Sequence, residues 1–119
     1  MSSQGQQFRE RRRSERVLIR IPIKVLGTDS VGKEVKIDAE AVVVSRHGAL
    51  IHVNAELVPN SHIHITNAFT RKQELFRVVW VGERKAESGY DVGVELLNPS
   101  DVFWGISFPP SVEAKPQPA

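Results

Sequence analysis

The chain has 119 residues, of which 40% are hydrophobic, a size that supports one domain with a single modest core and argues against a second domain. It contains no cysteine, so disulfide bonds and thiolate metal sites are excluded. The net charge is only +2, yet residues 1–20 carry six arginines and two acids, a local charge of +4 that leaves −2 for the remainder.

The basic charge lies in an N-terminal arm. Residues 1–8 are rich in Ser, Gln and Gly and are predicted to be disordered, whereas residues 9–16 contain five arginines. Arginine binds phosphate oxygens in pairs and stacks on aromatic rings, so the arm is expected to bind an anion. The sequence has no apolar run of the roughly 20 residues that cross a bilayer and no apolar signal segment. We therefore predict a cytoplasmic protein that does not insert into the membrane.

Beyond the arm, apolar and polar residues alternate with a period of two, which is typical of half-buried β-strands. Pro22 cannot donate to a β-ladder, so the first strand is predicted to lie at a sheet edge at that position. The predicted strands cover residues 17–25, 34–45, 49–53, 62–66, 73–82 and 89–97, with a charged loop at 83–88. Six short strands at this spacing predict an all-β domain, either an antiparallel barrel or a sandwich.

The alternation also predicts which side chains face the core. In the second strand Val43 falls on the same apolar face as Ala41, although both faces are expected to be covered over residues 42–44. In the fifth strand Trp80 is expected to pack in the core rather than to act as a platform for base stacking.

The segment after the last strand is predicted to contain a short helical turn. Ser100 or Asp101 is the expected cap, and Phe103 and Trp104 are expected to close one end of the barrel or to present a partner-binding surface. The predicted organisation is a disordered residue range 1–8, one domain over 9–110 (arm 9–16, barrel 17–97, cap 98–110) and a disordered tail over 111–119.

The histidines and serines do not form a catalytic or metal-binding pattern. His62 and His64 share one strand face, but no carboxylate accompanies them in a recognised ligand pattern. Ser45 and His47 lack both a nucleophile elbow and an orienting acid, and no glycine-rich phosphate-binding loop is present. The sequence therefore predicts a non-catalytic protein without a metal or a cofactor.

Two motifs follow one another in a fixed order. The arm contains Arg12-x-x-x-Arg16, and the second strand ends in Val43-Val-Ser-Arg-His-Gly48. Together they resemble the signature of PilZ domains, which is Arg-x-x-x-Arg followed by Asp/Asn-x-Ser-x-x-Gly, and the last two strands are similar to the closing strands of that family. The resemblance covers residues 9–97. It implies a six-stranded antiparallel β-barrel that binds the bacterial second messenger cyclic di-GMP.

The resemblance also implies which residues bind cyclic di-GMP. Arg12 and Arg16 are expected to contact the phosphates and the O6/N7 edge of a guanine. Ser45 is expected to hydrogen-bond a base or a phosphate from the barrel wall, and Gly48 to keep the turn beneath the ligand free of a side chain. The weaker candidates are Arg11, Arg13, Val43 and Arg46.

Val43 departs from the family pattern, because the signature has Asp or Asn at this position. Valine cannot accept hydrogen bonds from the N1 and N2 donors of guanine, and their loss is expected to cost about 1–3 kcal/mol of binding free energy. The arm also allows a second registration of its motif, with Arg9 and Arg13 in place of Arg12 and Arg16. We favour Arg12 and Arg16 because Arg16 adjoins the first strand.

The expected function is that of a receptor or adaptor that binds cyclic di-GMP and passes the signal to a protein effector, which the sequence does not identify. The alternative is a degenerate PilZ-like barrel that binds no nucleotide and acts through protein contacts. Non-specific nucleic-acid binding by the arm is a weaker hypothesis, because the rest of the chain is negatively charged and offers no extended basic face.

Overall fold

The computed structural model of the protein describes residues 16–85, 87–98, 100 and 102–106. Over these residues the chain forms six β-strands and contains no helix that could span a membrane. The strands are β1 (Val17–Thr28), β2 (Glu34–Val44), β3 (Gly48–Val53), β4 (His62–Asn67), β5 (Gln73–Lys85) and β6 (Gly89–Leu96). The ends of the chain that are predicted to be disordered, residues 1–8 and 111–119, lie outside the described residues.

The strands close into an antiparallel barrel in the order β1-β2-β3-β6-β5-β4, with β4 pairing back to β1. This confirms the six-stranded antiparallel barrel and excludes the sandwich. A closed barrel has no strand that is unpaired along its whole length, but β1 has no β4 partner at Pro22, in agreement with the edge position predicted there. Proline is tolerated in β1 because the β1–β4 ladder begins at Ile23, which leaves Pro22 just beyond the end of β4.

Two loops begin later in the chain than the sequence pattern predicted. β1 continues through Thr28, and the turn after it is closed by Asp29, whose Oδ1 accepts the backbone N–H groups of Val31 and Lys33 at 3.1 and 2.8 Å. β5 continues to Lys85, because the charged residues predicted as a loop pair with the start of β6. The charged hairpin is therefore part of the barrel wall.

The core is filled by apolar side chains from all six strands, most of them β-branched, which strands favour. The strand residues in this core are Ile21, Ile23, Val25, Ala41, Val44, Ile51, Val53, Ile63, Ile65, Phe76, Val78, Val92, Val94 and Leu96. Because this side of every strand is occupied by the core, a binding surface has to be built on the outer side of the wall.

Two β-bulges reverse the alternation of side chains. In β2 the register shifts between Ala41 and Val43, so that Ala41 and Val44 are both buried while Val43 points outward. In β5 the register shifts between Val78 and Trp80, so that Val78 is buried and Trp80 is 47% exposed. One extra residue in a strand moves the side chains that follow it to the opposite face. The predictions that Val43 shares the face of Ala41 and that Trp80 packs in the core are wrong for this reason.

The aromatic residues near the C-terminus pack on the core. Phe103 and Trp104 are buried, and their rings lie 5.4 and 6.1 Å from the ring of Phe76 between centroids. The Phe103 and Trp104 rings are 4.7 Å apart and nearly perpendicular, which is a favourable edge-to-face geometry. They therefore stabilise the barrel and do not present the partner-binding surface considered above.

The segment that carries these aromatic residues forms a hydrogen-bonded turn where a helical turn was predicted. The N–H of Gly105 donates to the carbonyl of Val102 at 3.2 Å, and Gly105 has a φ of 76°, which ends any helical path. Ser100 Oγ accepts the N–H of Val102 at 3.2 Å, as expected of a cap. Asp101, the other candidate cap, lies outside the described residues.

Asn67 connects this aromatic segment to the β4–β5 turn. Its side chain is fully buried. Its Nδ2 donates to the carbonyl of Phe103 at 2.9 Å, and its Oδ1 accepts the backbone N–H groups of Phe69 and Thr70 at 2.8 and 3.3 Å. Removing one partner from a buried hydrogen bond costs more than the bond itself contributes, so the packing of the aromatic residues depends on this side chain.

We expect Asn67→Ala to lower the free energy of unfolding by about 2–4 kcal/mol, because it removes three hydrogen bonds from a buried position. Urea denaturation followed by circular dichroism measures the loss. Asn54→Ala is the matched control, since Asn54 is exposed and its replacement should change the free energy by no more than about 0.5 kcal/mol. Equal stabilities of the two variants would contradict the role assigned to Asn67.

Candidate functional site

A cleft lies on the outer wall of the barrel, where the end of β2, the turn after it and β3 meet β5 and β6. Its volume is 390 Å³, which is within the range of small-ligand sites. The lining residues are Arg16, residues 43–45 and 47–50, Val79 and Trp80 of β5, and residues 93–95 of β6. The cleft therefore brings together described residues from both sequence motifs, Arg16 from the arm and Ser45 from the turn.

An apolar row crosses this wall from β1 to β5. Direct cross-strand pairs connect Leu18 to Val43, Val43 to Leu50, Leu50 to Gly93 and Gly93 to Trp80. Residues that are direct partners share one face of a sheet, and Leu18 is 84% exposed, so the whole row points outward. Apolar side chains in a row on the outside of a small barrel offer a flat surface to a ligand or a partner.

Trp80 lies against the wall because Gly93 leaves room for its indole. A Cβ added at Gly93 would lie 2.3 Å from Nε1 and 2.6 Å from Cε2 of Trp80, so the indole covers the backbone of Gly93. The six-membered ring extends towards Gly82, where an added Cβ would lie 3.6 Å from Cζ3. One face of the indole is thus against the wall, while Trp80 stays 47% exposed and lines the cleft.

Ser45 shapes the turn between β2 and β3. Its backbone N–H donates to the carbonyl of Gly48 at 2.9 Å, and its Oγ accepts the N–H groups of His47 and Gly48, each at 3.2 Å. Both lone pairs of the hydroxyl are therefore used within the turn. The Oγ lies 3.5 Å from the carbonyl oxygen of Gly48, which is too long for a strong hydrogen bond, so the hydroxyl can donate to a ligand acceptor such as a phosphate oxygen.

Gly48 is required by the packing of the barrel. It is buried and pairs with Glu95, and a Cβ added to it would lie 2.2 Å from the carbonyl oxygen of Val94 and 3.0 Å from Cα of Glu95. The backbone of β6 thus approaches the motif too closely for any side chain. Gly48, which is expected beneath the ligand, lines the cleft and also lets β3 approach β6 closely.

Arg16 is the one predicted arginine that the described structure brings to the cleft. It immediately precedes β1, is exposed, and lines the cleft together with Ser45. Arg46 is half-buried in the motif turn and is not among the described residues that line the cleft. Arg9 and residues 11–13 lie outside the described residues, so their contacts with a ligand stay predictions.

Glu95 is the one carboxylate among the described residues that line the cleft. It lies directly opposite Arg77 of β5, whose Nε donates to its Oε2 at 2.9 Å. Arg77 Nη1 also donates to Asn60 Oδ1 at 2.6 Å, so the arginine is held from two sides. The carboxylate of Glu95 is thereby positioned at the edge of the cleft with 41% of its side chain exposed.

The family to which this barrel belongs is shown by comparison with known proteins. The family model of the PilZ domain matches residues 10–103, which include all six strands and most of the arm. The chain belongs to the PilZ domain family. No curated protein matches the chain. PilZ domains are generally cyclic di-GMP receptors, and both motifs that carry the resemblance have described residues in the cleft.

A polar row lies beside the apolar row on the wall of the PilZ barrel. Arg20 pairs with Glu40 at 2.9 Å, and His52 Nδ1 lies 2.8 Å from Asp91 Oδ1. The ammonium group of Lys85, 2.6 Å from Asp91 Oδ2, lowers the pKa of Asp91 by hydrogen bonding, with His52 as the second cause. These contacts link strands from β1 to β5. They form a polar surface beside the apolar row in which positive and negative side chains are paired.

Nine residues that line the cleft of the PilZ barrel were not in the sequence-based site: Val44, His47, Ala49, Leu50, Val79, Trp80, Gly93, Val94 and Glu95. The outward direction of Leu50 and Glu95 could be read from strand alternation, because the neighbours of each in its strand face inward. Nothing in a single sequence shows that their two strands are neighbours. The outward direction of Trp80 could not be read in this way, because the bulge beside it is not visible in the apolar pattern.

We expect Gly93→Ala in this PilZ domain to displace the indole of Trp80, because the new methyl group would lie 2.3 Å from Nε1. The displaced ring should show red-shifted emission and stronger acrylamide quenching, and the free energy of unfolding should fall by about 1 kcal/mol. The buried Trp104 contributes the same background to every variant.

Gly82→Ala is the graded control for this experiment. Its methyl group would lie at an ordinary contact distance of 3.6 Å from Cζ3 of Trp80, and its tight contact, 3.2 Å, would be with the carbonyl oxygen of Asp91 rather than with the indole. Its quenching should match that of the wild type. Wild-type quenching in Gly93→Ala would contradict the placement of the indole against the wall.

Proposed function

We propose that this PilZ domain is a non-catalytic receptor for cyclic di-GMP that binds the dinucleotide in the outer-wall cleft and passes the signal to a protein partner in the bacterial cytoplasm. One observation carries the proposal: Arg16, the Ser45 turn and the exposed indole of Trp80 meet in a single cleft. Cyclic di-GMP has two phosphates and two guanines, so its recognition needs cations, hydrogen-bond donors and a flat apolar surface.

Arg16 suits the anionic part of this ligand. A guanidinium group binds two phosphate oxygens or the O6/N7 edge of a guanine in a bidentate manner, and Arg16 is exposed beside the motif turn. The hydroxyl hydrogen of Ser45 would add a donor to the same phosphate or base. Arg12, four residues earlier in the arm, would supply the second guanidinium, with Arg11 and Arg13 adding positive charge.

The apolar row suits the bases. The exposed indole of Trp80 and the neighbouring Leu50 form a surface on which a guanine would stack, and stacking on an aromatic side chain is worth roughly 1–3 kcal/mol per base. Val43 enlarges this apolar surface but offers no acceptor to guanine. We therefore expect an affinity below that of the same barrel with an acid at position 43.

The same row favours a second candidate function, a protein-interaction module that binds no nucleotide. Leu18 is 84% exposed, and Val79 and Trp80 are 40% and 47% exposed. Exposed apolar residues that adjoin one another commonly mark protein contacts. The two candidates differ in one property, because only the receptor binds cyclic di-GMP in the absence of a partner.

Isothermal calorimetry of the wild type with cyclic di-GMP tests the receptor function. We expect saturable heat that weakens at least about tenfold in Arg16→Ala and in Arg12→Ala, since each change removes a charge-assisted contact. Val43→Asp should strengthen binding about tenfold, because it supplies acceptors for the N1 and N2 donors of guanine.

Arg20→Ala is the matched control for the arginine variants. Arg20 is an exposed arginine of β1 that pairs with Glu40 and does not line the described cleft, so its replacement should change the affinity no more than about twofold. Absence of heat with both the wild type and Val43→Asp at high micromolar ligand would contradict the receptor function and favour the interaction module. Equal losses in Arg16→Ala and Arg20→Ala would instead indicate non-specific attraction of an anion.

A further inference from the structure

We infer that Glu95 binds the Watson–Crick edge of a guanine in the cleft and gives the site its preference for guanine over adenine. This inference rests on the proposed function, because it concerns how the same cleft recognises its ligand. It starts from Val43, which has no acceptor for the N1–H and N2–H groups of guanine. A guanine edge buried without such an acceptor would lose affinity, and Glu95 is the one carboxylate among the described residues that line the cleft.

Glu95 lies on the side of the wall that a stacked base would occupy. Gly93 and Glu95 are two residues apart in β6 and share its outward face, with the buried Val94 between them. Gly93 lies beneath the indole of Trp80, so Glu95 is roughly 7 Å further along the same strand. A base stacked on the exposed indole therefore extends one edge towards this carboxylate.

The carboxylate is held in place before any ligand binds. Arg77 Nε donates to Oε2 of Glu95, and Arg77 is itself held by Asn60. An ionised carboxylate has about four acceptor positions, so one bond from Arg77 leaves room for two parallel bonds from guanine. The positive charge of Arg77 also offsets the negative charge of Glu95. The carboxylate therefore repels the ligand phosphates less. A side chain fixed in this way loses little rotamer freedom on binding.

Glu95 and position 43 lie on opposite sides of the cleft. Val43 pairs with Leu50, and Leu50 pairs with Gly93, so β2 and β6 are separated by two strand spacings, or about 10 Å. An acceptor on β6 therefore cannot contact the same atoms as an Asp or Asn at position 43. Cyclic di-GMP has two guanines, and Glu95 would bind the one that stacks on Trp80.

A carboxylate at this edge distinguishes guanine from adenine. Guanine presents N1–H and N2–H donors side by side, whereas adenine has an acceptor at N1 and no amino group at C2. A bidentate pair with the correct base discriminates against the wrong one by roughly ten- to a hundredfold. Replacing Glu95 should therefore lower the affinity for cyclic di-GMP without lowering the affinity for cyclic di-AMP.

Calorimetry of the full chain with cyclic di-GMP and with cyclic di-AMP tests the inference on the wild type, Glu95→Gln and Glu95→Ala. We expect the affinity for cyclic di-GMP to fall about tenfold in Glu95→Gln, which keeps one acceptor, and further in Glu95→Ala. The ratio of the affinity for cyclic di-GMP to the affinity for cyclic di-AMP should fall by the same factor. A purely structural role of the Glu95–Arg77 pair would weaken both ligands equally and leave this ratio unchanged.

Glu40→Gln is the matched control. Glu40 pairs with an arginine across neighbouring strands at the same 2.9 Å as Glu95, and 39% of its side chain is exposed against 41% for Glu95, but it does not line the described cleft. Its replacement should leave both affinities within about twofold. Wild-type binding together with an unchanged ratio in both Glu95 variants would overturn the inference and leave the proposed function standing. Absence of wild-type binding would overturn the proposed function and this inference with it.

Discussion

β-bulges in β2 and β5 determine which side chains the outer wall of this PilZ barrel presents. In β2 the bulge lets Ala41 and Val44 both fill the core while Val43 points outward, and in β5 it lets Val78 fill the core while Trp80 points outward. Strict alternation would instead carry Trp80 inward with Val78, and the cleft would lose its aromatic floor. The neighbouring ladders of the closed barrel hold both bulges in register.

The cleft combines an apolar floor with polar groups at its margins. Gly93 lets the Trp80 indole lie against the wall, and Gly48 lets β3 and β6 approach closely. Arg16 and the Ser45 turn border the floor on the β2 side, while Glu95 with its Arg77 partner borders it on the β6 side. A flat ligand with charged and hydrogen-bonding edges matches this arrangement, because stacking energy comes from the floor and specificity comes from the margins.

The strands could be predicted from the sequence, because half-buried strands alternate apolar and polar residues. Arg16 and Ser45 could also be predicted as neighbours, because each adjoins the end of a strand and the two motifs follow a family order. The outward positions of Val43 and Trp80 could not be predicted from the alternation, since a bulge leaves no mark in the apolar pattern. Only the family motif placed Val43 near the ligand. Glu95 could not be predicted for another reason. Its place in the cleft depends on the pairing of β3 with β6, which are distant in sequence.

Binding of the ligand to this wall is tested most directly by proton–nitrogen chemical-shift mapping of the full chain during a titration with cyclic di-GMP. The largest shifts are expected at the Trp80 indole N–H and at the amides of Gly48 and Gly93. The indole N–H of Trp104, which is buried in the core, serves as the internal reference and should not move. Shifts confined to residues 9–16, or no shifts at saturating ligand, would contradict binding in the cleft.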